Sequence, residues 1–147
     1  MDEAERARLA SLVDGARRDP RTVRERGATE DELAALADRL GAPVPTDLAD
    51  WLRICRGEAI GEGGVFGVRP DRAFVDITAT ASLFPEWSAL GWIPVASDGC
   101  GNYYVLQPDG SVGFIDTMAD PVKVEKARAR SLPQFLMDYL AANQAPD

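Results

Sequence analysis

The side chains able to do chemistry in this chain are carboxylates and little else. There is no histidine, which excludes Ser-His-Asp and Cys-His catalysis, imidazole relays and histidine-containing zinc sites. The two cysteines, Cys55 and Cys100, are too few for a four-thiolate zinc site and lack a metal-type spacing. They read as free thiols of a reducing compartment. What survives is carboxylate chemistry, a nucleophile without its usual base, or binding without chemistry. Asp98 and Asp109 each precede a turn glycine. Neither turn has the alternating acidic ligands and closing glutamate of a calcium loop, and aspartate side chains stabilise turns through their own hydrogen bonds. Asp116 and Asp120 follow the end of an expected strand, where a carboxylate dyad is conceivable without a second motif to support it. The glycine run 61–67 fails as a nucleotide loop. A dinucleotide fingerprint from Gly61 needs glycine where Phe66 stands, and a phosphate loop needs a terminal Lys-Ser or Lys-Thr. No cofactor and no metal are expected.

Charge narrows the partners. The net charge is −8 over 147 residues, and residues 91–121 hold four aspartates and no basic side chain. Such a chain repels phosphate backbones, so no nucleic-acid partner is expected, and it attracts basic proteins. With 46% hydrophobic and 7% aromatic residues the composition is that of an ordinary globular domain. No apolar run approaches the roughly 18 residues of a membrane span, and the charged start MDEAERARLA is unlike a signal peptide. A cytoplasmic protein with no membrane partner is expected.

The elements that must position these residues are legible in part. A helix is expected over 3–18 on Leu9, Leu12, Val13 and Ala16, stopped at Asp19-Pro20. Thr29-x-x-Glu32 is a capping box for a second helix on Leu33, Leu36, Ala37 and Leu40 that ends at Gly41. Thr46 is placed to cap a third, with Leu48, Trp51, Leu52 and Cys55 on one face and Arg56-Gly57 closing it. Short strands are expected at 65–68 and at Phe74–Ile77, while Ser82–Leu90 has no clear period. From Trp92 to Asp116 the chain reads WIPVASDGCGNYYVLQPDGSVGFID, aromatic and β-branched runs divided by Asp-Gly turns, which is the pattern of an antiparallel meander. Val122 and Val124 alternate with Lys123 and Glu125 as a further, edge-covering strand. Ser131-x-x-Gln134 caps a last helix on Leu132, Phe135, Leu136, Tyr139 and Leu140, and 143–147 is expected to fray.

The meander resembles the central signature of the SUKH superfamily, through Trp92-Ile93-Pro94-Val95-Ala96 and Asp98-Gly99-x-Gly101-Asn102-x-Tyr104-x-Leu106. That superfamily takes in a fungal cell-wall-synthesis regulator of the Smi/Knr type and many bacterial immunity proteins. Val44-Pro45, Leu48, Trp51-Leu52 and Gly57 resemble its opening helix, with Arg56 where asparagine is the family's residue. The fold class is then α+β. It is a single domain over 1–147, with a helical extension at 1–28, a core at 29–141 and a tail at 142–147. An antiparallel-dominated sheet of about four to six strands would carry N-terminal helices and one C-terminal helix.

The resemblance implies a non-enzymatic binding protein. The first reading is a bacterial immunity protein that occludes the active site of a cognate toxin, the expected partner being a basic toxin domain (a nuclease or similar effector). The alternatives are a toxin-independent scaffold or regulator of the Smi/Knr type, and an enzyme built on two convergent carboxylates. Trp51 and Trp92 fall on apolar faces, whereas Trp87 sits in the irregular stretch and is the candidate exposed anchor. Alternation sends Tyr104 and Leu106 to the core and Tyr103 to an open face near Asp98 and Asn102. The candidate partner-binding residues are thus Trp87, Asp98, Asn102, Tyr103, Asp109, Asp116 and Asp120. The exposed meander edge leaves a homodimer open.

Overall fold

From Ile93 to Asp116 the strand runs are separated by only a few turn residues, which leaves no length for crossover connections, so these strands must pair antiparallel with their predecessors. The computed structural model, which describes residues 1–17 and 24–146, has that arrangement. Its strands are β1 (Glu58–Ile60), β2 (Gly63–Val65), β3 (Ile93–Ser97), β4 (Asn102–Leu106), β5 (Val112–Asp116) and β6 (Lys126–Ala129). They form one antiparallel sheet in sequence order. The helices are α1 (Glu3–Ala16), α2 (Glu30–Leu40), α3 (Thr46–Ile54), α4 (Ile77–Leu83), α5 (Glu86–Leu90) and α6 (Leu132–Ala142). This is the α+β fold expected from the sequence, at the upper end of the expected strand number.

Register sets what each face carries. Tyr104 pairs with Phe114 and Leu106 with Val112, while Tyr103 pairs with Ile115 and Val105 with Gly113. The first set faces α6, where the Tyr104 ring lies 4.9 Å from Phe135 and 6.0 Å from Tyr139. The Tyr139 hydroxyl donates to the Ser97 carbonyl at 2.7 Å, joining helix to sheet. Leu9, Val13, Leu48, Trp51 and Leu52 complete this main core from α1 and α3, all fully buried.

The capping box at Thr29 is present as read, whereas at Ser131 only the serine half forms, its hydroxyl accepting from the Gln134 amide at 3.3 Å. Thr29 Oγ1 accepts from the Glu32 amide at 3.1 Å and Glu32 accepts from the Thr29 amide at 3.0 Å. Glu32 also accepts from Arg26 at 2.6 Å and is approached by Arg56, and these partners, Arg26 first, hold its carboxyl down to about 2. A group whose folded value lies below its unfolded value stabilises above the unfolded value, and loses that contribution as pH falls toward the folded one. Glu32→Gln keeps the capping geometry and removes the charge. In acid denaturation its stability should therefore decline less steeply than that of the unmodified protein between about pH 4.5 and pH 2. Equal slopes would show that the ion pairs contribute nothing.

Several local expectations are corrected. α1 ends at Ala16 and Arg17 makes a β-bridge to Ile60 of β1; the expected stop at Asp19-Pro20 lies outside the described residues. Pro45, not Thr46, takes the N-cap position of α3, without a side-chain cap. The strand expected at 65–68 begins earlier, because Gly61 and Glu62 make the turn of a β1–β2 hairpin. Phe74–Ile77 is not a strand. The Asp76 carboxylate accepts from the Arg69 amide at 2.7 Å and the Ala79 amide at 2.9 Å, and this cap starts α4 after a single 3₁₀ turn. The last strand lies at Lys126–Ala129 rather than at 122–125, since Asp120 captures the Val122 amide at 3.0 Å and folds that segment into a turn. The tail expected to fray is tied down: Gln144 donates to the Leu12 carbonyl at 2.9 Å and the Ala145 amide to Gly15 at 2.9 Å. Arg56 needs no left-handed backbone, because Gly57 takes the positive φ of +120°. Its guanidinium instead donates to the Val68 carbonyl and Glu32.

Candidate functional site

Between β2 and β3 the chain leaves the sheet for residues 66–92, and this excursion covers the face that the sequence left open. Phe84 and Trp87, three positions apart, present their rings to the sheet stacked at 4.4 Å. Both meet Tyr103 edge-on, at 5.5 and 5.6 Å, and Val105 and Ile115 lie beneath. The Trp87 indole N–H donates to the Pro121 carbonyl at 2.6 Å. Trp87, expected as an exposed anchor, is therefore wholly buried and is excluded as a direct contact. Trp92, expected in the core, is half-buried at the margin of this second cluster. The signal was hidden because a five-residue helix carries too little period to reveal its buried face.

Beside this aromatic plug lies an open cleft of about 650 Å³ lined by Glu62, Gly63, Phe74, Thr80, Leu83 and Tyr103 among others. Its walls are apolar and unusually exposed. Phe74 is 56% and Leu83 67% accessible, and Met118, 87% accessible, stands beside Gly101 at the same end. Single exposed apolar side chains are ordinary, but several around one concavity mark an interaction surface. The floor is polar. Thr80 is 4% accessible and, among the described residues, its hydroxyl has no hydrogen-bond partner, nor has that of Tyr103. Glu62 is the charged residue of the lining and makes no ion pair with a described residue. The cleft is closed at one end by Gly99, at φ +80°, whose missing Cβ would fall 2.0 Å from the Glu62 carbonyl oxygen. Only glycine permits that approach of two loops.

The predicted acids divide between the two ends of the sheet. Asp98 accepts from the Cys100 amide at 2.8 Å and the Asn102 side chain at 2.7 Å. Asn102 lies opposite Asp116, which accepts from the Met118 and Ala119 amides at 3.0 and 3.3 Å. Asp120 donates its own amide to the Asp116 carbonyl at 2.9 Å. Asp98, Asn102, Asp116 and Asp120 thus gather at the cleft end. Asp109 is at the far end of the β4–β5 hairpin, where the Ser111 hydroxyl and amide hold its carboxyl below the usual range. Each of these carboxylates is engaged by its own loop, the arrangement of turn chemistry rather than of a pair sharing a proton. Among the described residues no three cysteine, aspartate or glutamate side chains are placed to hold a metal ion. Sequence reading missed Phe74, Leu83, Thr80 and Glu62, since a seven-residue α4 and a two-residue turn offer no pattern to single them out.

Burial pushes the Cys55 thiol up to about 12, whereas Cys100 is exposed in the β3–β4 loop. A thiol reagent near neutral pH should modify one cysteine in the folded protein and two in denaturant, with mass spectrometry placing the first on Cys100. Ready modification of Cys55 without denaturant would contradict the packing of α3.

No helix of the described residues is long and apolar enough to cross a membrane. No curated protein matches the chain. The model of the SMI1/KNR4 family (SUKH-1) matches residues 27–138, from the approach to α2 through most of α6, and so covers the sheet, the aromatic plug and the cleft. On that match, the chain is a member of the SMI1/KNR4 family (SUKH-1).

Proposed function

We propose that this chain is an immunity protein that neutralises a cognate toxin by binding a basic domain of it, with the cleft beside Tyr103 as the contact surface. The observation that carries the reading is the coincidence at one end of the sheet of exposed apolar side chains, Phe74, Leu83 and Met118, with Glu62 and the loop carboxylates Asp98, Asp116 and Asp120. Apolar anchors beside several carboxylates suit a basic partner: the anchors set residence time and the carboxylates set encounter rate. Occlusion of the partner's active site needs no catalysis by this chain. The cytoplasm of the producing cell is where such a complex would form.

The test is capture followed by rescue. The tagged chain is used to isolate partners from its own host at low and high salt, and each captured polypeptide is expressed alone and together with the chain. A basic polypeptide that arrests growth alone, is tolerated with the chain, and associates more slowly as salt rises supports the proposal. Capture of envelope-synthesis or housekeeping proteins without toxicity would favour the scaffold or regulatory reading of the Smi/Knr type. Salt-independent association would remove the charge-steering part.

A further inference from the structure

Resting on the partner-binding reading above, we infer that the cleft is an arginine subsite, filled by a guanidinium on a protruding loop of the partner protein. Glu62, Thr80 and Tyr103 line it, and among the described residues the Glu62 carboxylate makes no ion pair and the Thr80 and Tyr103 hydroxyls make no hydrogen bond. Thr80, 4% accessible, is the most buried of the three. An apolar occupant would cover these hydroxyls and leave them unsatisfied, which opposes binding. An anion would meet Glu62 and no cation in the lining. A guanidinium offers a planar fork of N–H donors and no acceptor, matching a lining of acceptors. Its weakly hydrated face suits the Phe74 and Tyr103 rings, and the methylene stem suits Leu83. Lysine supplies the charge but neither the fork nor the stacking plane, so the site should distinguish the two.

The probe is acetyl-Leu-Arg-Leu-amide, titrated into isotopically labelled protein and followed by amide chemical shifts. Peptides with lysine, or with citrulline (the uncharged isostere of arginine), serve as comparisons. Saturable shifts are expected at Gly63, Gly99, Gly101 and Tyr103, with the arginine peptide at least about tenfold tighter than the citrulline one, the factor that corresponds to ~1.4 kcal/mol. Glu62→Gln should abolish that preference. Thr80→Val and Tyr103→Phe, which remove hydroxyls and keep the packing, should each weaken the arginine peptide severalfold without moving the thermal midpoint. Flat titrations, equal affinity for arginine and citrulline, or equal affinity for lysine would overturn the assignment. Flat titrations from a chain that captures and neutralises a toxin would remove the arginine subsite alone. Selective arginine binding by a chain that rescues no toxin would remove the immunity reading and leave the subsite standing.

Discussion

Trp87→Ala should lower stability by about 3–5 kcal/mol, the range for truncating a large buried aromatic side chain. For a chain of this length that corresponds to a fall in thermal midpoint of roughly 6–20 °C. Trp87 is fully buried, stacks on Phe84 at 4.4 Å and packs against Tyr103 at 5.6 Å. Val105 and Ile115 share its buried cluster, with Trp92 and Val124 packed at the margin. The indole also ties the excursion to the loop that follows β5, through Pro121. Trp87→Phe separates the two contributions, since it retains most of the ring packing and removes the N–H donor. Its expected cost is about 1–2 kcal/mol, part of it from the carbonyl left without its donor. Thermal unfolding followed by near-ultraviolet circular dichroism reads both variants. A loss below about 1 kcal/mol for Trp87→Ala would mean that the second cluster is loosely packed and that the face is available to a partner after all.

The largest functional effect is expected from Phe74→Ala combined with Leu83→Lys. Both side chains are more than half exposed, so their removal should change stability by no more than about 0.5 kcal/mol. Lysine at position 83 lies at the C-terminal end of α4, where a positive charge is favourable to the helix dipole. Against a basic partner the same lysine replaces an apolar contact by a repulsion. If the proposed surface is correct, affinity for the neutralised partner should fall at least about 100-fold, or ~2.7 kcal/mol, chiefly through faster dissociation. An unchanged affinity at unchanged stability would move the interface elsewhere on the molecule. The basic edge strand β6, with Lys126 and Arg128 exposed, would then be the next surface to alter.

The two variants probe opposite sides of one design. Within the excursion Phe84 and Trp87 face the sheet, whereas Leu83, the neighbour of Phe84, and Phe74, ten residues earlier than Phe84, face solvent. From sequence alone the aromatic content of 74–92 was visible, but which ring turned inward was not. Trp87 read as exposed because irregular sequence was equated with exposure. In the folded chain a short helix begun at Pro85 rotates the indole onto Tyr103.

Local chemistry determined the elements. The capping box at Thr29, the N-cap at Ser131, the Asp-Gly turns at Asp98 and Asp109, and the alternation of Tyr103 with Tyr104 each depend on neighbours a few residues away, so each was readable in the chain. Family membership rested on the same short-range motifs. Tertiary structure decided which surfaces remain open. Tyr103 was correctly sent to the face opposite α6, yet that face is covered by a segment displaced from it in sequence. The cleft joins Glu62, Phe74, Thr80, Leu83 and Tyr103 from four separate elements. Sequence periodicity specifies the direction of a side chain within its own helix or strand, whereas exposure depends on what the rest of the chain packs against it, and that is a long-range property.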